Sequence, residues 1–290
     1  MRLSTSTNIY FNRPDGAKAS IQESMSRCAA AGYRVMDLNF HDCTTFQLPF
    51  VTAGYLDWTE EIGMLADDLS ISFNQCHASF YNFCDPNYGN RAYMDQMVLR
   101  AVECAGLLGI PYVVIHAGTD YGTAELVRSS KRKNRDYFLP VIEYAEKCGT
   151  NLAFENLWDM NIKPLRRYTA NAEELVDFVD SLDAPGVGVC YDTDHATLMG
   201  QDHAEALRLI GKRLVATHIS DCISAECDHI LPYAGRTDWC AVTRALKEIA
   251  YTGDLTYEIH RYTQNLPDEL VDSALLYSVE VGEQLISLCK

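Results

Sequence analysis

Short apolar runs alternate with longer segments of helical period from one end of the chain to the other. Eight runs read as strands: RLSTSTNI, YRVMDLNF, ISFNQCH, YVVIHAG, NLAFEN, VGVCYD, LVATHIS and LTYEIH. Each is short, carries β-branched or aromatic residues, and is bounded by turn formers. Between them, apolar residues recur at three- and four-residue spacing. Ile21, Met25, Cys28 and Ala29 share one helical face, with Gly32 where a C-terminal cap belongs. Met94, Val98, Ala101, Ala105 and Leu108 repeat the pattern, closed by Gly109 and Pro111. Asn171 and Glu174 have capping-box spacing ahead of Leu175, Phe178, Val179 and Leu182. The last helix is expected to bury Leu270, Ala274, Tyr277, Val281 and Leu285.

Eight strands, each followed by a helix, have two main solutions: a closed barrel or an open, doubly wound sheet. A dinucleotide-binding sheet carries a glycine-rich turn after an early strand, and no strand–helix turn here supplies G-x-G-x-x-G. The reading is therefore an α/β fold, a single (β/α)8 TIM barrel spanning residues 1–290 as one domain. Two long segments, HDCTTFQLPFVTAGY and ASFYNFCDPNYGNRAY, leave the ends of the second and third strands. Barrel enzymes build their sites at those ends, so both loops are expected to wall a substrate pocket.

Composition narrows the function. Apolar residues make up 48% of the chain and charged ones 22%, ordinary for a globular enzyme. No stretch is apolar enough to span a bilayer, and MRLSTSTNIY lacks the basic-then-apolar order of a signal peptide. The eleven cysteines are scattered and include no C-x-x-C pair, which points to reduced, mostly buried thiols and a cytoplasmic location. A formal net charge of −16 disfavours nucleic acid and anionic membrane as partners, because both demand a basic surface.

Polar residues interrupt the later strands at matching places. Glu155 ends LAFE, Asp192 ends VCYD, and His218 and Glu258 sit late in LVATHIS and LTYEIH. Strand alternation places Ala153, Cys190, Ala216 and Thr256 one layer below them, pointing inward. Three carboxylates gathered at a barrel axis repel one another and are costly to desolvate, and a divalent cation removes that problem. The set of three carboxylates and one imidazole is hard and oxygen-rich. It favours one Mn²⁺, Mg²⁺ or Co²⁺ and tolerates Zn²⁺.

With these motifs in place the chain resembles the sugar phosphate isomerase/epimerase family of the xylose isomerase-like TIM barrels. That group includes ketose 3-epimerases, inosose dehydratases and the endonuclease IV type of repair enzyme. YVVIHAG, NLAFEN, GVCYDTDHATLMG, VATHISD and LTYEIH match its fourth- to eighth-strand motifs, and DHILPYAGRTDW resembles its late loop. The resemblance implies that Glu155, Asp192, His218 and Glu258 bind the metal, that Glu155 and Glu258 form the acid–base pair, and that His195 contacts substrate. His77 and His116 end the third and fourth strands on the same register. Their equivalents hydrogen-bond substrate in the sugar branch and bind additional zinc in the repair branch. His41, His203 and His260 are read as surface or packing residues, with His260 the exception, since it shares the face of Glu258 and is placed to overhang the pocket. Trp158 and Trp239 are read as core packing or helix anchors, with pocket aromatics as the alternative.

Three departures stand out. Ser224 falls where the ketose 3-epimerases carry a substrate-gripping arginine, NLWDMN lacks their second glutamate, and PYAG replaces Pro-Gly-Glu-Gly. The expected activity is a metal-dependent isomerisation or epimerisation of a small keto-sugar or related polyhydroxy carbonyl compound. It would proceed by proton abstraction beside the carbonyl through a metal-stabilised enediolate. An inosose dehydratase-like lyase and an endonuclease IV-like zinc phosphodiesterase are the alternatives. The expected partner is a small sugar or polyol-derived molecule; a homo-oligomer is compatible with the sequence, which does not set the oligomeric state.

Overall fold

Eight parallel strands close on themselves in a computed structural model that describes residues 1–158 and 166–290. They are β1 Leu3–Ser6, β2 Val35–Asn39, β3 Ser72–His77, β4 Tyr112–Ile115, β5 Asn151–Glu155, β6 Val187–Asp192, β7 Leu214–His218 and β8 Leu255–Tyr257. The helices are α1 Ile21–Ala31, α2 Phe40–Thr45, α3 Tyr55–Asp68, α4 Arg91–Leu107, α5 Leu126–Cys148, α6 Ala172–Leu182, α7 Thr193–Leu198, α8 His203–Ile210, α9 Trp239–Glu248 and α10 Asp268–Leu288. Ladder order runs from β7 down to β1 and on to β8. The circle closes where Ile219, just past β7, bridges Tyr257 in parallel. This is the expected TIM barrel. Among the described residues, no helix is long and apolar enough to cross a membrane. All eleven cysteines are free thiols, most of them buried.

The strands stop earlier than their apolar runs suggest. RLSTSTNI leaves the sheet after Ser6, whose hydroxyl accepts from the Asn8 backbone N–H and turns the chain into a 3₁₀ helix. YVVIHAG and LTYEIH leave it after Ile115 and Tyr257. His116 and Glu258 therefore stand just above the ladder, at the mouth.

Inside the barrel the alternation argument holds. Ala153, Cys190 and Ala216 form a small cluster with Val114. Thr256 joins a polar string instead: the Asn74 amide donates to Thr256, Thr256 donates to Gln75, and Ser4 donates to Asn74. Every side chain in that string finds a partner, which is what makes polar residues tolerable at an enclosed axis. The larger core lies outside, between strands and helices.

Helix signals read from the sequence have physical counterparts. Gly32 caps α1 at φ +113°, a left-handed conformation open to glycine. Asn171 accepts from the Glu174 N–H, but Glu174 turns its carboxylate to Arg166, so only half of the capping box forms. The expected face of α10 needs correcting. Leu270 and Tyr277 are exposed, and the buried stripe is Val271, Leu275, Ser278, Val281, Gly282 and Leu285. Small and polar positions share that contact with the aliphatics. The Tyr33 and Ser278 hydroxyls are paired at 2.7 Å, and a Cβ on Gly282 would meet Leu3 at 2.4 Å. A hydrophobicity stripe alone does not reveal which of two apolar faces makes the close approach. The NLWDMN departure extends over Asp159, Met160 and Asn161, which lie outside the described residues.

His203 is buried at the start of α8, as the packing reading expects, with Nδ1 2.9 Å from the Tyr191 hydroxyl and Nε2 2.9 Å from the Thr197 hydroxyl. Burial lowers its pKa to about 4, from 6.5. The unfolded chain takes up this proton first, so the stability carried by the neutral ring is complete above pH 6.5 and is lost as pH falls toward 4. His203→Gln is expected to remove acid sensitivity on the order of 3 kcal/mol across that window. Urea unfolding of both proteins at stepped pH checks this; parallel profiles would assign the sensitivity elsewhere.

Candidate functional site

Four consecutive strands bring the expected set together. Glu155 ends β5, Asp192 ends β6, His218 ends β7 and Glu258 follows β8. One ligand atom from each lies within 4.8 Å of the others, and all four residues are buried. His218 Nδ1 sits 2.8 Å from Glu155 Oε1 and 3.1 Å from Glu258 Oε2. Asp192 divides its labour. Oδ1 caps α7 by accepting from the Asp194 and His195 N–H groups, while Oδ2 is buried without a hydrogen-bond partner.

Electrostatics explain how such an array persists. Burial works against charge on His218, but Glu258, Glu155 and Asp37 outweigh it and hold the imidazole pKa well above its ordinary value. Burial likewise works against ionised Glu155 and Glu258, and the His218 charge overcomes it, holding both well below the carboxylate range. Asp192 goes the other way, pushed up by burial and by Asp194 and Glu155. His218 favours ionisation of Glu155 and Glu258, with help from His116 and His229, whereas at Asp192 burial and the neighbouring acids outweigh His229 and His218. The unpartnered Oδ2 and the oxygen-rich donor set fit a divalent cation held by Glu155, Asp192, His218 and Glu258.

The histidines expected at the site are also there. Nε2 of His77 and of His116 approach Glu155 Oε2 at 3.3 and 2.8 Å. His77 Nδ1 donates to the Ala78 carbonyl, which aims Nε2 inward. His195 Nδ1 donates to the Asn156 carbonyl at 2.9 Å. Burial lowers the His116 pKa to about 4.

Asp37 and Gln75 carry little sequence signal, whereas His229 belongs to the late-loop motif DHILPYAGRTDW. Asp37 on β2 lies 3.0 Å from His218 Nε2, fixing the tautomer that presents Nδ1 to the cluster. Gln75 donates to the same Asp37 oxygen. His229 reaches in from the β7–α9 loop at φ +49°, a strained conformation for histidine. Its N–H donates to Asp194 Oδ2 at 2.6 Å. Asp221 staples that loop, accepting from the N–H groups of Gly235 and Thr237 and from the Trp239 indole. A Cβ on Gly235 would stand 2.3 Å from Asp221, so the staple needs glycine. Trp239 is an anchor, as expected.

A cavity of about 400 Å³ opens over the cluster. Asn8, Asn12 and Asn39 line one side, and His41, Asp42, Phe46 and Phe80 come from the two long loops expected to wall it. The surface or packing reading of His41 needs correcting, since His41 lines the cavity, stacked 3.9 Å from Phe80. His260, on the face of Glu258, overhangs the cavity 4.4 Å from His229. Trp158 takes the pocket alternative, with its ring 6.5 Å from that of His195.

Comparison with known proteins agrees with this geometry. Residues 25–278 match the sequence profile described as xylose isomerase-like TIM barrel. An uncharacterized protein, y4fM, of Sinorhizobium fredii is 30% identical over 61% of this chain and 56% of its own length. D-psicose 3-epimerase of Ruminiclostridium cellulolyticum is 32% identical over 41% of this chain and 37% of its own. The matched regions thus span roughly half or less of these curated relatives' lengths. The solved structure of D-psicose 3-epimerase with D-tagatose from Clostridium cellulolyticum H10 superposes with a TM-score of 0.75 at 17% identity, covering 99% of both chains.

Asp37 is fully buried, and its Oδ2 contacts His218 Nε2 and accepts from Gln75. Asp37→Ala is expected to weaken Mn²⁺ binding about tenfold to a hundredfold. Calorimetric titration of the metal-free protein measures it, with circular dichroism confirming the fold. Unchanged affinity would mean that Asp37 does not orient His218.

Proposed function

The chain belongs to the xylose isomerase-like TIM barrel family, and from that premise we propose that it is a divalent-metal-dependent isomerase or epimerase of a small keto-sugar or related polyhydroxy carbonyl compound. The observation that carries this reading is the pairing of Glu155 and Glu258 about His218 on the floor of a cavity whose near wall is built of asparagines. Two buried acids at the base of a hydroxyl-binding pocket suit proton transfer on a sugar.

Glu155, Asp192, His218 and Glu258 would hold the cation, Mn²⁺, Mg²⁺ or Co²⁺ by donor type, and it would polarise the substrate carbonyl and offset the charge that develops beside it. Glu258 or Glu155 takes the proton from the carbon next to the carbonyl, and its partner returns a proton. Return to the opposite face of the same carbon gives an epimer; return to the former carbonyl carbon gives the aldose–ketose isomer. Asn8 donates to Glu258 Oε1 at 3.3 Å, which orients that carboxylate. His195, His116 and His77 orient substrate hydroxyls around Glu155.

A second reading, a multinuclear zinc phosphodiesterase, draws on one observation. His77, His116 and Glu155 converge as a further set of ligands, and Asp192, Asp194, His195 and His229 as another. The net charge of −16 opposes it, since a phosphodiester backbone is bound through basic groups.

Two measurements test the proposal. Elemental analysis of the protein as purified should find about one manganese, cobalt or magnesium per chain. Two or three zinc ions per chain would move the assignment to the phosphodiesterase. Glu258→Gln is expected to lower exchange of the ketose α-proton with solvent by about 10²–10⁴-fold while the fold persists. Near-normal exchange would remove Glu258 from the acid–base pair.

A further inference from the structure

We infer that the substrate is a keto-sugar carrying a second sugar ring, with the ketose over Glu155 and Glu258 and the second ring in an adjoining aromatic chamber. This rests on the isomerase reading and adds to it the size and shape of the substrate.

The cavity over the cluster, at about 400 Å³, already falls in the range that encloses a small ligand. A second chamber of about 340 Å³ lies beside it. The two share Phe80, His116, Leu157 and Arg167, so they lie on either side of one wall that these four side chains build. His116 in that wall touches Glu155, which places the chamber directly beside the reacting end.

The chemistry of the chamber differs from that of the main pocket. Tyr81, Tyr88 and Tyr121 line it, and among the described residues no carboxylate does. Among the described residues, Arg167, on the shared wall, is the only cationic side chain that lines it. A phosphate or carboxylate is held by several converging cationic or N–H donors, and the described lining offers one such side chain. Tyrosine rings instead present flat apolar faces with a polar edge, complementary to a sugar ring's C–H face and peripheral hydroxyls. Tyr81 is fixed through its hydroxyl by Asp95, and its ring lies 4.8 Å from that of Tyr88. Tyr88 is exposed and Tyr121 half-buried, so the chamber reaches solvent on that side, while His116 on its opposite wall is the residue that touches Glu155. An uncharged ring attached to the ketose fits this arrangement; a bare monosaccharide leaves it unused.

The test compares substrates with and without the second ring. The Mn²⁺-loaded protein is incubated in D₂O with D-fructose, D-tagatose, and the ketose disaccharides lactulose, leucrose and isomaltulose, whose second ring is attached at three different positions. Deuterium incorporation beside the ketone is followed by NMR. At least one disaccharide is expected to exchange with kcat/KM about tenfold above the free ketoses. Replacing Tyr88→Ala and Tyr121→Ala together should abolish that advantage and leave exchange of the free ketoses unchanged. Free ketoses that match or exceed every disaccharide would overturn the second-ring inference alone. So would a double variant that slows both classes equally. Absence of exchange from all five sugars would overturn the isomerase reading itself, and this inference with it.

Discussion

Everything at the mouth of this barrel answers to the burial of like charges. Glu155, Asp192 and Glu258 are removed from water within a few ångströms of one another, where desolvation and mutual repulsion both oppose ionisation. His218 sits between two of them and stabilises both. Asp192 is left with an unpartnered oxygen. A cluster so arranged is unfavourable as a purely structural device, because an apolar plug of equal volume would be more stable. Its persistence makes sense if the charges have an exchangeable partner, a cation or a substrate.

The surrounding structure is organised to hold that arrangement. Ladder pairing sets Asp192 opposite His218 and Glu155 opposite Cys190, and the Ile219–Tyr257 bridge brings Glu258 alongside, so the four ligand atoms converge. Asp37 orients His218 from below, and Asn156 exchanges two hydrogen bonds with the Asp192 backbone just past the strand ends. Asp221 performs the corresponding task for the loop that delivers His229. The layer beneath, Val114, Ala153, Cys190 and Ala216, is compact and dry. These supports limit rotation of the charged groups, and catalytic geometry depends on that restriction.

Two kinds of surface meet above the cluster. The wall near β1 and β2 offers asparagine amides and histidines, suited to hydroxyl groups. The wall past Phe80 and His116 turns aromatic. Both walls rise above the same acidic floor, and their described residues come from the ends of β1 to β5 and the segments that follow them.

The sequence alone determined whatever follows from short-range periodicity and from chemistry at strand ends. Alternation within LAFE, VCYD, LVATH and LTYE put the polar residues on one level and their small partners a layer lower, because a strand's side-chain period is two whatever surrounds it. Helix ends at Gly32 and Asn171 were legible for the same local reason. Tertiary structure decided the rest. The buried face of α10 combines the aliphatics Val271, Leu275, Val281, Leu285 and Ile286 with the close approach of Gly282 and Ser278, and competing apolar residues on the other face, Leu270, Leu276 and Tyr277, stayed exposed. Asp37 became the partner of a histidine 181 residues away, and His41 entered the cavity from α2. Distance across a closed barrel leaves no trace in neighbouring residues, so those contacts could be known only once the strands had closed.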